Sequence, residues 1–156
     1  MIKSLDKSIY TLDIYGDGDA AYIEHLKAVL LQNNLQQNIS FKGYFSSQHI
    51  ADVLSGYHTA ILPSLWYENA PLSIIEAGLC GLDIITVGMG GMREMAEIVG
   101  NAYFFNHHDP GSLQEAVRSS YNNLQSRQSR IDAGEIDRMF SYEKQLTDFY
   151  FSISGD

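Results

Sequence analysis

Two glutamates interrupt the most apolar stretch of this chain, LPSLWYENAPLSIIEAGLCG, which runs from residue 62 to residue 81. Glu68 and Glu76 stand there with seven residues between them, just after Trp66, the only tryptophan. Burying an unpaired carboxylate costs on the order of several kcal/mol, so these two charges require an explanation. The stretch is therefore interpreted as the functional site and the rest of the chain as its scaffold.

The size and charge of the chain exclude several classes of protein. Its 156 residues, 45% hydrophobic and 19% charged, suit one soluble globular domain with its own core. A net charge of −9 argues against a broad nucleic-acid or acidic-membrane surface. The single cysteine, Cys80, excludes a disulfide framework and fits a reducing compartment. No apolar run approaches the roughly 20 residues of a membrane span, and residues 1–16 lack the apolar segment of a signal peptide.

Short apolar segments alternate with helical patterns along the chain. Strands are predicted at residues 11–15, 38–42, 59–62, 83–87 and 102–105, and helices follow each of them. This alternation predicts an α/β fold, a Rossmann-like parallel sheet flanked by helices. Residues 1–156 are interpreted as one domain, with a core at about 9–125 and amphipathic C-terminal helices at 126–156.

Four glycine-rich or aromatic loops follow predicted strands. They are Gly16-Asp17-Gly18, Gly43-Tyr44, the loop at residues 64–69 and the run at residues 88–91. Parallel sheets bind ligands at the carboxyl ends of their strands, where the strand order reverses. We therefore expect the four loops to gather at one edge of the sheet, around one ligand.

The central loop leads into a helix predicted to begin near Pro71. A helix N-terminus presents free N–H groups and partial positive charge, which suits a phosphate, with Asn69 and Ala70 adding their amides. Ionised Glu68 and Glu76 are acceptors only, so they suit a ligand rich in hydroxyl groups, such as a sugar or a ribose. Two alternatives stay open: both glutamates face water, or they form the acid–base pair of a glycoside hydrolase.

Other sites have weaker support in the sequence. The run at residues 88–91 resembles a dinucleotide fingerprint, but Arg93 holds the position of its last glycine, and an exposed ion pair is the simpler interpretation of Arg93 with Glu94. The histidines lack metal-ligand spacing, so no metal site is predicted. Ser64 and Ser73 lack the context of a nucleophile elbow.

The segment PSLWYENAPLSIIEAGLCGLDIITVGMGGMRE resembles the signature of the group 1, or family four, retaining glycosyltransferases of GT-B fold. The glutamate pair, the preceding Pro-Ser, the Glu-Ala-x-x-x-Gly continuation and the later Gly-Gly-x-x-Glu all match. LDIYGDGD and NISFKGYF resemble two further strands of that family, which extends the resemblance over residues 12–124. It implies the C-terminal, donor-binding half of a GT-B enzyme, whose donor is a nucleotide-diphosphate sugar.

The resemblance assigns roles by motif position. Glu68, the catalytic candidate, would contact the hydroxyls of the donor sugar, and Glu76 would hold the ribose. Backbone and packing contacts to sugar and phosphates would come from the segment Asn69, Ala70, Pro71, Leu72. Gly16 and Gly18 would flank the donor cleft, and Gly43 and Tyr44 would lie near the base. The reaction would retain the anomeric configuration and need neither a metal nor another cofactor.

The resemblance also implies missing parts. The arginine and lysine that grip the diphosphate in the family have no counterpart here, and the chain is expected to lack the domain's first strand and the N-terminal acceptor domain. Transfer to a glycan or lipid-linked acceptor, as in polysaccharide biosynthesis, would then need that domain, in the cytoplasm or at the inner face of the membrane. The alternatives are an epimerase or phosphorylase of the same fold, or a degenerate domain that only binds a partner. An exposed sheet edge would favour self-association.

Overall fold

The computed structural model describes residues 6–46, 49–99 and 101–124, in which five strands alternate with five helices. The strands are β1 (Leu12–Tyr15), β2 (Ile39–Gly43), β3 (Thr59–Leu62), β4 (Asp83–Val87) and β5 (Ala102–Phe105). The helices are α1 (Ala20–Gln32), α2 (Ile50–Leu54), α3 (Leu72–Leu79), α4 (Gly90–Val99) and α5 (Pro110–Asn123). The predicted C-terminal helices at 126–156 lie outside the described residues.

Every strand pairing in the described residues is parallel, as the alternating pattern predicts, but the strands form two sheets. One sheet has the order β1-β2 and the other β3-β4-β5. Parallel strands are joined by crossover helices, which here are α1, α3 and α4. The predicted α/β class is confirmed, and the single continuous sheet of the prediction is divided between β1 and β3.

Most of the hydrophobic core belongs to the three-stranded sheet. β4 has a neighbour on each side and is buried over its whole length. Ile74 of α3, Ile84 and Ile85 of β4 and Met92 of α4 are almost wholly buried. Fully burying such a side chain contributes roughly 1.5–3 kcal/mol, so these layers hold the fold together.

The two-stranded sheet is covered much less. Leu35 is the one fully buried residue of its small cluster within the described ranges, and α1 contains no buried residue. The apolar side chains of α1 are at most half-buried, and Leu31 is largely exposed. The first sheet and its helix therefore contribute far less apolar burial than the second.

A buried carboxylate stabilises the amino end of β4. Asp83 accepts hydrogen bonds from the Ser120 hydroxyl (2.8 Å) and from the Asn101 side-chain amide (3.1 Å). Ser120 also hydrogen-bonds to Thr59 in β3 at 2.8 Å. Asp83 was not among the residues predicted to be functional. Because Asp83 is the first residue of β4, it lies at the opposite end of the sheet from the predicted site.

Candidate functional site

The loops that follow β1 and β2 meet at their glycines. Gly16, the residue after β1, donates its amide hydrogen to the carbonyl of Gly43, the last residue of β2, at 2.9 Å. Both residues have positive φ, +132° and +71°, which favours glycine at these positions. A Cβ at Gly16, Gly18 or Gly43 would meet nothing within 4 Å, so this side of the turns is open. Tyr44 follows with 80% of its surface exposed.

The loop after β3 rests directly on the first turn of α4. A Cβ at Gly91 would overlap the carbonyl oxygens of Glu68 and Asn69 and would lie 2.5 Å from the Asn69 carbonyl carbon. A Cβ at neighbouring Gly90 would lie 3.2 Å from the Tyr67 ring. These glycines were predicted to lie in the loop at residues 88–91, whereas α4 begins at Gly90 and its glycines support the Glu68 loop.

Large apolar side chains of the same loop face solvent. Trp66 and Tyr67 are 81% and 80% exposed, and Leu65 and Leu72 are more than half exposed. Adjacent exposed aromatic and aliphatic groups are uncommon in a folded domain and usually mark a binding surface. The flat apolar faces of the Trp66 and Tyr67 rings can stack on a sugar or a base.

Helix α3 begins without a side-chain cap. Pro71 is its N-cap residue and has no side chain that can accept a hydrogen bond, and Leu72 is the first helical residue. The early amides of an α-helix have no intrahelical acceptor, so this terminus carries partial positive charge toward the loop. Asn69 and Ala70 precede the helix, as predicted, and the helical amides nearest the loop are those of Leu72 and Ser73.

Glu76 lies in the second turn of α3, where the sequence predicted it, and is half-buried. Burial, and secondly the charge of Glu76, raises the pKa of the Cys80 thiol one turn further along. Glu68 is also half-buried. Within the residues that the structure describes, neither glutamate side chain makes a hydrogen bond or an ion pair, so both carboxylates can accept from a ligand.

A polar cluster joins the two sheets and was missed by the sequence analysis. The Tyr57 hydroxyl donates to Asp13 at 2.6 Å and lies 2.8 Å from the Tyr15 hydroxyl, and Lys42 forms an ion pair with Asp13 at 3.4 Å. Burial, followed by the hydrogen bond to Asp13, raises the pKa of Tyr57 far above its ordinary value. The charged Asp13 within the apolar strand LDIY was the available signal.

Arg93 is the cation beside the loop that follows β4. Its Nε binds Glu97 one turn along α4 at 2.8 Å, and its guanidinium lies 4.8 Å from the centre of the Phe104 ring. An exposed ion pair was predicted here, but its partner is Glu97 rather than Glu94. The spacing explains the choice, because residues four apart face each other on a helix and adjacent residues do not.

One depression of the described fold lies away from the predicted site. A shallow depression of about 580 Å³ lies between β5 and α5, lined by residues such as Tyr103, Asp109 and Glu115, and it contains no predicted site residue. Asp109 caps α5 there by accepting from the Gly111 amide. In the described part of the chain, no hydrogen bond, ion pair or ring contact joins the Gly16–Gly43 turns to the Glu68 loop.

The described residues contain neither a cluster of metal ligands nor a membrane-spanning helix. No three His, Cys, Asp or Glu side chains gather into a group that could hold a metal ion. None of the helices has both the length and the apolar composition needed to cross a bilayer.

Comparisons with known proteins agree with the resemblance seen in the motifs. The family model described as "Glycosyl transferases group 1" matches residues 1–123, so the chain belongs to that glycosyltransferase family. No curated protein matches the sequence significantly.

Solved structures show the same fold at low sequence identity. The pneumococcal O-GlcNAc transferase GtfA, solved with UDP and GlcNAc, is 18% identical with a TM-score of 0.57, over 94% of this chain and 30% of its own. AviGT4, a glycosyltransferase of avilamycin A biosynthesis, is also 18% identical, with a TM-score of 0.52, over 71% of this chain and 33% of its own. The chain thus spans about a third of the length of these enzymes.

Proposed function

We propose that this chain is the donor-binding domain of a retaining glycosyltransferase, which transfers a hexose-type sugar from a nucleotide-diphosphate sugar to a glycan or lipid-linked acceptor. One observation carries the proposal. The carboxylates of Glu68 and Glu76 make no hydrogen bond or ion pair within the described residues, and the two glutamates flank the uncapped beginning of α3, beside an exposed aromatic loop. This order matches the parts of a nucleotide-diphosphate sugar: Glu68 for the sugar, the positive end of α3 for the diphosphate and Glu76 for the ribose.

In this proposal the beginning of α3 binds the diphosphate. Negative charge near a helix N-terminus is stabilised by roughly 0.3–1 kcal/mol at an exposed site, and by more where water is excluded. Charge develops on the diphosphate as the sugar leaves, so the amides of Leu72 and Ser73 would act mainly in the transition state. Asn69, Ala70 and Pro71 would pack along the phosphates. The proposed reaction uses no metal, as the resemblance to the family implies.

The two ends of the donor would bind different parts of the chain. Glu68 would accept hydrogen bonds from the hydroxyls of the transferred sugar, and Glu76 from those of the ribose. The open turns at Gly16 and Gly18 would let backbone approach the nucleotide, and Gly43 with Tyr44 would lie against the base. GtfA, solved with UDP and GlcNAc, supports a nucleotide sugar as the class of ligand. Binding of the acceptor would require an N-terminal domain, on the cytoplasmic side of the membrane.

Titration of the chain with nucleoside diphosphates and nucleotide sugars, followed by calorimetry or NMR, tests the proposal. A hydrogen bond to a charged group contributes about 1.5–3 kcal/mol, so Glu76→Gln should weaken binding of the nucleoside diphosphate itself about 10- to 100-fold. Glu68→Gln should leave that affinity unchanged and weaken only the binding of the nucleotide sugar. Glu115→Gln, an equal change of charge at an exposed position of α5, is the control.

The outcome that contradicts the proposal is specific. If Glu76→Gln and Glu115→Gln have the same affinity for every nucleotide tested, Glu76 does not hold the ribose. The proposal also predicts no sugar transfer by the chain alone, since the acceptor would bind elsewhere. Turnover of a nucleotide sugar onto an added acceptor by the isolated chain would refute that part.

A further inference from the structure

Four aromatic rings form a row from the loop after β2 to the loop before β3, called here the aromatic row. The Tyr44 ring stacks on the Phe45 ring at a centroid distance of 6.5 Å and an interplanar angle of 24°. The Phe45 ring meets the Tyr15 ring edge-on at 5.0 Å, and the Tyr15 ring meets the Tyr57 ring edge-on at 6.0 Å. Aromatic rings attract each other at centroid distances of roughly 4.5–7 Å, so the orientation of each ring restricts that of the next.

Hydrogen bonds of defined direction fix the Tyr57 end of the aromatic row. The Tyr57 hydroxyl donates to Asp13 at 2.6 Å and lies 2.8 Å from the Tyr15 hydroxyl, and Lys42 pairs with Asp13 at 3.4 Å. A hydroxyl has a single hydrogen, so Tyr15 donates to Tyr57 while Tyr57 donates to Asp13. Burial, and secondly the bond to Asp13, raises the pKa of Tyr57, so its hydroxyl keeps that hydrogen. A short hydrogen bond to a carboxylate is strong, so this end of the row is held in one arrangement.

Tyr57 connects the well-packed part of the fold to the weakly covered sheet. Its side chain packs against the core of the three-stranded sheet, and its amide donates to the Leu54 carbonyl at 3.0 Å. Asp13 and Tyr15 belong to β1, in the other sheet. Tyr57 therefore holds β1 from a position that the larger core fixes independently of β1.

The opposite end of the aromatic row lies at the turns of the proposed base site. Tyr15 is the last residue of β1 and pairs in register with Gly43, the last residue of β2. The Gly16 amide donates to the Gly43 carbonyl, so the residues beside these two glycines stay close together. Tyr44 follows Gly43 and is largely exposed, whereas the other three rings are half-buried. The exposed ring thus stands where the proposed function places the nucleotide base.

We propose that Tyr57 is a positioning residue, which through Tyr15 and the aromatic row holds Tyr44 in the orientation that stacks on the base of the donor nucleotide. The stacking half of the statement rests on the proposed function. An exposed side chain that becomes fixed on binding costs roughly two- to tenfold in affinity, and a ring that is already oriented avoids part of that cost. Tyr57 stands at the far end of the row from Tyr44, so it acts on the base through its neighbours.

Tyr57→Phe tests the proposal, because it keeps the ring and its edge contact but removes both hydrogen bonds of the hydroxyl. Calorimetry on the whole chain measures Kd for UDP, ADP and GDP, and for ribose 5-diphosphate, which lacks a base. The ratio of the base-free Kd to that of the tightest nucleotide gives the contribution of the base. Tyr57→Phe should lower this ratio roughly two- to tenfold and leave the Kd of ribose 5-diphosphate unchanged. A merely structural role would weaken both ligands alike.

Tyr103→Phe is the matched control. It also removes a hydrogen-bonded hydroxyl, which accepts from Asn123 at 3.3 Å, but in β5 and outside the aromatic row, so the ratio should not change. Tyr44→Ala should lower the ratio at least as far as Tyr57→Phe does. Combining these two changes should cause no further loss, because both act on one contact, and additive losses would overturn the proposal.

The orientation of Tyr44 can be measured without a ligand. The ring signals of Tyr44 in a chain with isotope-labelled tyrosine, assigned with Tyr44→Phe, are shifted by the neighbouring rings. Tyr57→Phe should move these signals toward the values of free tyrosine, whereas Tyr103→Phe should not. Tyr15→Phe keeps the bond between Tyr57 and Asp13, so it should move them less, and it replaces Tyr57→Phe if that variant fails to fold. Wild-type Tyr44 signals in the folded variant would overturn the positioning role.

These measurements separate the inference from the proposed function. If a nucleoside diphosphate binds more tightly than ribose 5-diphosphate and Tyr57→Phe leaves the ratio unchanged, the inference is overturned and the function stands. A ratio of about one in the wild-type chain also overturns the inference, because the base then contributes nothing. If none of these ligands binds, the proposed function and the stacking half are refuted, and the Tyr44 signals alone decide the positioning half.

Discussion

Gly91→Ala tests whether the first turn of α4 positions the Glu68 loop. In an ordinary helical position this change stabilises a protein by roughly 0.5–1 kcal/mol. Here the new Cβ would overlap two backbone carbonyl oxygens and lie 2.5 Å from the Asn69 carbonyl carbon. Carbon atoms prefer separations of about 3.5–4 Å, so the loop or α4 must move by about 1 Å.

The expected change in the free energy of unfolding combines the helical gain of alanine with the cost of the overlapping Cβ. Forcing an extra methyl group into a packed site costs about 1–3 kcal/mol, and backbone carbonyls cannot rotate away as a flexible side chain can. After the helical gain is subtracted, we expect Gly91→Ala to lower the free energy of unfolding by about 1–2 kcal/mol. A displacement of about 1 Å at a binding loop can also cost up to a hundredfold in function, so affinity for a nucleotide sugar should fall clearly.

Gly78→Ala is the matched control for stability. Its Cβ would lie 2.6 Å from Val99 Cβ, between α3 and α4, so it also overpacks the interface of these helices. Urea unfolding followed by circular dichroism measures both losses. The fluorescence of Trp66, the only tryptophan, reports on the loop and should change in folded Gly91→Ala but not in folded Gly78→Ala. Wild-type stability together with wild-type Trp66 emission in Gly91→Ala would refute the positioning role.

Three further predictions concern charged and polar groups. Glu76→Gln removes the charge that helps to raise the pKa of Cys80, so iodoacetamide should alkylate Cys80 faster in this variant at pH 8. Burial, and then the hydrogen bond to Asp13, raises the pKa of Tyr57 above its ordinary value of 10.0. The contribution of Tyr57 to the free energy of unfolding is therefore complete below pH 10 and is lost at higher pH, because the phenol ionises first in the unfolded chain. Tyr57→Phe should show a shallower alkaline loss of stability in urea titrations. Asp83→Ala leaves the buried Ser120 hydroxyl without one acceptor and should cost about 2–4 kcal/mol in the same assay, and a loss below 1 kcal/mol would contradict this role.

Local sequence signals predicted the elements well. β3, β4 and β5 occupy the predicted residues, because each is a short apolar run bounded by turn-forming residues. Asp19 and Asp109 cap α1 and α5 through their side chains, as their positions before helical patterns suggest. These signals depend only on residues a few positions apart, so they can be recognised in the sequence itself.

Contacts between distant segments were harder to predict. The division into two sheets depends on which strands pair with each other, and nothing local in β1 or β3 specifies its partner. Likewise, Gly91 looked like part of a turn, although its hydrogen leaves room for the Glu68 and Asn69 carbonyls more than twenty residues away. Asp13 and Asp83 appeared as isolated charges because their partners, such as Tyr57 and Ser120, lie in other elements.

The residues of the proposed site are divided between the two sheets. Gly43 and Tyr44 follow the weakly covered sheet, whereas Glu68 and Glu76 belong to the layers that contain most of the buried core. Within the described residues the two sheets are held together mainly through α5 and the bond between Tyr57 and Asp13. A ligand that contacts both parts must therefore use part of its binding energy to fix their relative position.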